Sequence, residues 1–185
     1  MAAERMVNGV AVDKLFGTID AIKENPAIAK FKFRLNNVWI DGGHNHSRIE
    51  DFYGAEKVHE HEKVFDLDAD EPPLLLGEDI GPNPVEYLLK ALAGCLTSSL
   101  IYHAAAKGIT VRGVQSRLEG DLDLRGFLGL SKDVKVGYEN IRVYFKIDAD
   151  ISESQKQELI EMAQKYSPVF STVINQTLVS VQLDK

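Results

Sequence analysis

The chain carries one cysteine, Cys95. A thiol is the side chain best suited to reversible oxidation and, as the thiolate, to nucleophilic attack. Cys95 lies in PVEYLLKALAGCLTSSLIYHAAAKG, where no other ionisable side chain occurs between Lys90 and His103. In apolar surroundings a cysteine is commonly a small inert core residue. This one also stands about three turns from the start of its helix, beyond the terminal turn over which the helix dipole acts. Reactivity would need a cation brought by another segment. The histidines form a second constellation, because four of the five occur as two His-x-His pairs, His44/His46 and His59/His61. On a strand each pair points to one face, as metal ligands can. A hairpin centred near Gly54 would set His59 opposite Glu50 and His61 opposite Arg48, which separates the pairs and puts a cation beside one of them. The expectation is exposed strand histidines, with no metal and no other cofactor.

The element that must hold the thiol has well-marked ends. Asn83 suits the N-cap, Pro84 the first helical position, Glu86 the far side of a capping box and Gly108 the position after the last turn, so the helix should run from about Pro84 to Lys107. With so few polar side chains it should be buried nearly all round. A membrane span is not expected, because Glu86, Lys90, His103 and Lys107 leave a short charge-free stretch that itself contains Thr97, Ser98 and Ser99.

Ahead of that helix, Leu15, Phe16, Ile19 and Ile22 follow helical spacing from Asp13 up to Asn25-Pro26. Phe31, Phe33 and Leu35, then Val38 and Ile40, mark a strand that bulges at Asn36-Asn37 and ends at Asp41-Gly42-Gly43. A further strand covers roughly Glu56 to Leu67. The connection ADEPPLLLGEDIGP, with Leu74-Leu75-Leu76 in its middle, reads as the lip of a pocket or, preferably, as leucines covering the core from outside. Beyond the helix, Val114, Ser116, Leu118, Gly120, Leu122 and Leu124 alternate with polar residues. Ile141, Val143, Phe145 and Ile147 repeat the pattern, so the two strands should pair antiparallel. A second helix opens at Ser152 with a Ser-x-x-Gln capping box and carries Leu159, Met162, Ala163 and Tyr166 on one face. Ser167-Pro168 ends it and begins a short helix, with Ser167 as N-cap. Thr177 to Leu183 should close the chain as a strand. The fold class is α+β, an antiparallel sheet packed on a long central helix.

At 185 residues, with 44% hydrophobic and 26% charged side chains, the composition is that of one globular domain over 1–185, in which 1–30 form an N-terminal helical extension. A net charge of −7 argues against a nucleic-acid partner. A lone cysteine fits a reducing compartment, and MAAERMVNGV lacks the marks of a signal peptide, so a cytoplasmic location is expected.

The segment PNPVEYLLKALAGCLTSSLIYHAAAKG resembles the central helix of the OsmC and Ohr family of hydroperoxide-reducing thiol proteins. The resemblance extends through NPAIAKFKFRLNNVW, LLGEDIGPNPVEYLL and the helix carrying YSPVFSTV. It implies the OsmC-like fold in an intertwined homodimer, with Cys95 as the thiol that attacks the peroxide. The family's second, resolving cysteine falls on Ser167 in KYSPVF, so one chain cannot close the family's internal disulfide. The Arg that holds the thiolate in the family follows a Gly-Gly turn after the first strand. Here Gly42-Gly43 is followed by His44, with Arg48 four residues further on. Either could substitute: Arg48 is favoured by its permanent charge and His44 by its position. Where peroxidase members place Glu directly after Asn-Pro, this chain has Val85. The nearest carboxylate is Glu86, about 100° further round the helix, either as a site residue or as the capping partner of Asn83.

The expectation is an OsmC-like thiol protein, acting as a one-cysteine organic hydroperoxide reductase in oxidative stress defence: Cys95 would be oxidised to a sulfenic acid and reduced by an external thiol. The alternative is a non-catalytic module that binds a small apolar ligand on the same fold. The partners expected are a second copy of the chain, the hydroperoxide or other small apolar ligand, and the thiol reductant, with no nucleic acid and no membrane.

Overall fold

A computed structural model describes residues 4–184. Their contacts sort into two units, one of Ala11–Leu88 with the residues up to Arg5, the other of Met6–Val10 with the residues from Leu89 on. A small hairpin, β1 (Met6–Val7) and β2 (Val10–Ala11), bends at Asn8-Gly9, both with positive φ.

In the first unit, α1 (Val12–Glu24) stops where Asn25 leaves the helical region. The Asn25 carboxamide then accepts the Ala27 N–H at 3.2 Å and starts a 3₁₀ turn at Pro26. The strands are β3 (Lys32–Phe33), β4 (Asn36–Asp41), β5 (His44–Gly54) and β6 (Lys57–Ala69). β5 is the centre of this antiparallel sheet, with β3 and β4 on one side and β6 on the other. The phase shift expected at Asn36-Asn37 is a break at Arg34-Leu35, which divides one expected strand into β3 and β4.

The β5–β6 hairpin turns through Ala55 and Glu56, both in the left-handed region. Phe52 therefore faces His59, Asp51 faces Glu60, and the register shifts between Ile49 and Asp51. This corrects the expected pairing of His59 with Glu50 and of His61 with Arg48. The turn is centred one residue later than Gly54 suggests, and an irregularity follows that no periodicity announces. Beyond it, His46 faces Asp68 and Arg48 faces Asp66.

The connection from β6 is tightly wound. Asp70 is buried, and its carboxylate accepts the backbone N–H groups of Glu71, Glu78 and Ile80 at 2.8, 3.0 and 3.3 Å. A Cβ on Gly43 would lie 3.1 Å from that carboxylate, so the glycine there permits the close approach. Leu74 and Leu76, at the tip, are 91% and 93% exposed. They do not cover the core.

The long helix α2 (Pro84–Ala106) begins as expected. Asn83 Oδ1 accepts the Val85 N–H, and Glu86 Oε2 accepts the Asn83 N–H, each at 2.9 Å. It ends where Gly108, at φ +72°, donates to Ala105 O. Burial falls on one row only, Leu92, Leu96, Leu100 and Ala104, with Ala105 beside it. The expectation of all-round burial is therefore corrected for the single chain: Leu88 and Tyr102 are exposed. By length and composition alone α2 could cross a membrane, but its leucine row is spent inside the protein core.

In the second unit, β7 (Val111–Asp121) and β8 (Asn140–Ala149) pair antiparallel, with Val114, Ser116 and Leu118 opposite Ile147, Phe145 and Val143. Leu124 lies outside the strand, opening the short helix α3 (Leu124–Phe127) under the Asp123 cap. α4 (Glu153–Tyr166) starts with the full Ser152–Gln155 capping box and buries Leu159 and Ala163, while Tyr166 is exposed. α5 (Pro168–Ile174) follows at once. The core joins the α2 row to Ile147 and Ala149 of β8 and to Leu159 and Ala163 of α4. The expected closing strand at Thr177 to Leu183 does not form: Leu178, Val181 and Leu183 are more than 90% exposed. Its alternation is that of a strand, but a strand needs an edge to bond with, and among the described residues it pairs with none.

Candidate functional site

Cys95 sits in the middle of α2, half-buried and free. Its neighbour Leu96 belongs to the buried row, so the thiol lies to one side of the core face, about 100° round the helix. Another side of α2 is open. Lys90, Ala93, Gly94, Thr97, Ile101 and Tyr102, with Ser116 of β7 and the Asn8–Val10 turn, line a groove of about 530 Å³. Asn8 fixes that turn, donating to Ile109 O and accepting the Val111 N–H, both at 2.8 Å.

Ser167 stands where α4 gives way to α5 and is 1% exposed. Its hydroxyl accepts the Phe170 N–H at 3.1 Å, the N-cap role expected of it. α4 and α5 contribute Leu159, Ala163, Val169 and Phe170 to the core that holds the α2 leucines. Cys95 and Ser167 thus stand on elements that share one core.

The remaining candidates lie in the first unit. His44 and Arg48 share a face of β5, which also carries His46, and that face meets two carboxylates of β6. Asp68 Oδ1 lies 2.9 Å from both His44 Nε2 and His46 Nδ1. Asp66 Oδ1 lies 3.2 Å from both His46 Nε2 and Arg48 Nε, and Arg48 also meets Glu50 at 3.1 Å. Hydrogen bonds to Asp68 first, then Asp66, raise the His46 pKa above the ordinary imidazole value. Those from His44 first, then His46, hold Asp68 below the ordinary carboxylate range. Burial pushes Asp70 upward, but its backbone donors and the charge of His44 together outweigh that, so its pKa also falls below the ordinary value.

The two candidate cations are therefore brought together, but each is already engaged by a carboxylate. Glu86 is exposed and bound to the N-cap, the structural role open to it. Sequence reasoning missed Asp66, Asp68 and Asp70. Their alternation in FDLDAD matches that of His44, His46 and Arg48, and only the register shift in β5–β6 conceals that the two rows meet. The second His-x-His pair does other work: His59 stacks on Phe52 with centroids 5.1 Å apart, and His61 lies edge-on to Phe65. Among the described residues, no group of three or more His, Cys, Asp or Glu side chains is arranged to hold a metal ion.

Comparison with known proteins places this geometry. No curated protein matches the sequence. Solved structures share the fold. An OsmC-like protein from Mycoplasma pneumoniae aligns at TM-score 0.60 and 20% identity, over 77% of this chain and 87% of that one. An OsmC-like protein of unknown function from Vibrio cholerae aligns at 0.59 and 10%, over 76% and 92%. An organic hydroperoxide resistance protein, OsmC, from Legionella pneumophila aligns at 0.54 and 17%, over 76% and 89%. The sequence model of OsmC-like proteins matches residues 77–182, more than half of the chain and all of the segment from α2 through α5. The chain belongs to the OsmC-like family.

Proposed function

We propose that this protein is a one-cysteine, thiol-dependent reductase of organic hydroperoxides, acting in the cytoplasm as a homodimer in which residues 1–185 work as one domain. The observation that carries the reading is the free, half-buried Cys95 on the helix the family match covers. That the Legionella relative is named for organic hydroperoxide resistance supports the substrate class. In this chemistry the Cys95 thiolate attacks the distal peroxide oxygen, an S–O bond forms, and the O–O bond breaks. The alkoxide leaves and takes a proton, giving an alcohol and a Cys95 sulfenic acid. With Ser167 in place of a second cysteine, an external thiol condenses with the sulfenic acid, releasing water. A second external thiol then reduces the mixed disulfide. His44 or Arg48 is the cation assigned to hold the thiolate and the departing oxygen.

The alternative, a non-catalytic module binding a small apolar ligand, is favoured by one observation: His44, Arg48 and Glu86 are all committed to bonds within the first unit. Mass spectrometry of Cys95 after brief exposure to an organic hydroperoxide, and separately to hydrogen peroxide, divides the readings. The reductase requires sulfenic acid to form faster than on free cysteine, with the organic peroxide preferred, and a slower rate in His44→Ala or Arg48→Ala. Oxidation no faster than free cysteine, unchanged by both variants, leaves the binding module.

A further inference from the structure

We propose that His44, His46, Asp66 and Asp68 form a proton-operated latch on the end of β6, which holds the loop from Glu71 to Pro82 closed while His46 carries its second proton.

The geometry of His46 is the starting point. Both of its ring nitrogens face carboxylate oxygens, Nδ1 toward Asp68 at 2.9 Å and Nε2 toward Asp66 at 3.2 Å. A neutral imidazole has one N–H, so in that state one contact would set a nitrogen lone pair against a carboxylate oxygen. Only the imidazolium donates to both. Once the second proton leaves, one of the two carboxylates must let go.

The charges facing this group come from every neighbouring element. β5 supplies His44 and Arg48, and β6 supplies Asp66 and Asp68. On β4 the residues opposite His46 and Arg48 are the uncharged Val38 and Asn36, while Asp41 stands opposite His44. The loop adds the buried Asp70, which feels the charge of His44, while the Glu71 carboxylate is turned to Asn83. Asp66 keeps the guanidinium of Arg48, whose charge is permanent, while Asp68 keeps only the imidazole of His44, so the hold on Asp68 is the one that weakens.

Asp68 is where the strand meets the loop. Its backbone carbonyl accepts the Tyr87 hydroxyl at 2.6 Å, and Gly81 packs against the same carbonyl. Two residues on, Asp70 binds the N–H groups of Glu71, Glu78 and Ile80. With His46 gone from it, the Asp68 side chain is held by His44 alone, and the weaker hold loosens the frame on which Asp70 keeps the loop and its exposed Leu74 and Leu76. The direction follows from linkage. His46 has a raised pKa in the folded state, so the latch is fully closed below the unfolded-state value and is lost as pH rises through the higher folded one. Because these side chains are 19–55% exposed, the response is local opening of the loop and not loss of the fold.

Amide hydrogen exchange on the intact protein tests this, read from about pH 5.5 to about pH 9 so as to span the ordinary imidazole value of about 6.5. After division by the intrinsic exchange rate at each pH, the amides of Glu71, Glu78 and Ile80 should exchange several-fold to about tenfold faster at the upper end, one pH unit of coupling being one decade. Amides of β7 and β8 in the same samples should not change. His46→Gln should exchange fast at every pH, and His46→Arg, a permanent cation between the same carboxylates, should stay slow at every pH. His59→Gln should behave as the wild type. Flat loop protection in the wild type would overturn the latch. So would a wild-type step in His46→Arg, or an NMR titration placing His46 at or below the ordinary value.

Discussion

A thiol with no second thiol in its own chain must pass its oxidation to another molecule, so under the proposed function a second thiol at position 167 would change the chemistry open to Cys95. Ser167 differs from cysteine by one atom and is buried, with its hydroxyl engaged in capping α5. Ser167→Ala should cost about 1 kcal/mol of stability by denaturant titration, the usual worth of such a cap. Ser167→Cys should gain a peroxide-triggered disulfide with Cys95. A new thiol at a helix start is easily deprotonated, and so is prepared to attack a sulfenic acid. Closure requires Cα atoms about 4.4–6.8 Å apart. Non-reducing peptide mapping after one equivalent of organic hydroperoxide decides it: an oxidised Cys95 with no 95–167 bond would mean that Ser167 is not the resolving position. The capping role of Ser167 was readable from Ser-Pro alone, because a cap is made within four residues. The His44–Asp68 and Arg48–Asp66 contacts were not, because they depend on a pairing register set by a turn and an irregularity many residues away.

Elements divide along the same line. α2 and α4 carry their start signals in the sequence, at Asn83–Glu86 and Ser152–Gln155, and both formed where those signals placed them. Burial of α2 departs from the expectation, since a shortage of charges shows only that water is not required on a face, and not that the same chain covers it. The leucine row makes the distinction measurable. Leu96, 2% exposed inside the core, should cost about 2–5 kcal/mol when cut to alanine, from lost burial and the cavity left behind. Leu76→Ser, at a position 93% exposed, should lie within about 0.5 kcal/mol of the parent. Paired chemical denaturation curves check both, and a similar loss from the two would show that the loop tip is packed in solution.

At the scale of the whole molecule, surface area is the telling quantity. The described residues expose 13625 Å². Two separate folded bodies, each half of the 20.6 kDa mass, would expose about 10,700 Å² between them. The surplus is about 2,900 Å² per chain and so about 5,800 Å² for a pair, at the upper end of obligate dimer interfaces, which run from about 2,000 to above 5,000 Å² in total. Its chemistry agrees. Phe33 and Trp39 on the first unit's strands are 74% and 69% exposed, and Leu178, Val181 and Leu183 in the C-terminal segment more than 90%. Large apolar patches left exposed mark interaction sites. A second copy is the partner the family reading supplies, and with it the alternating segment from Thr177 to Leu183 would find the strand edge it lacks in one chain. The prediction is a homodimer that does not separate into folded monomers. Light scattering should hold at twice the chain mass on dilution through the micromolar range, and the melting temperature should rise with protein concentration, because unfolding and dissociation are then one equilibrium. A folded, monodisperse monomer at micromolar concentration, melting at a temperature independent of dilution, would sink it.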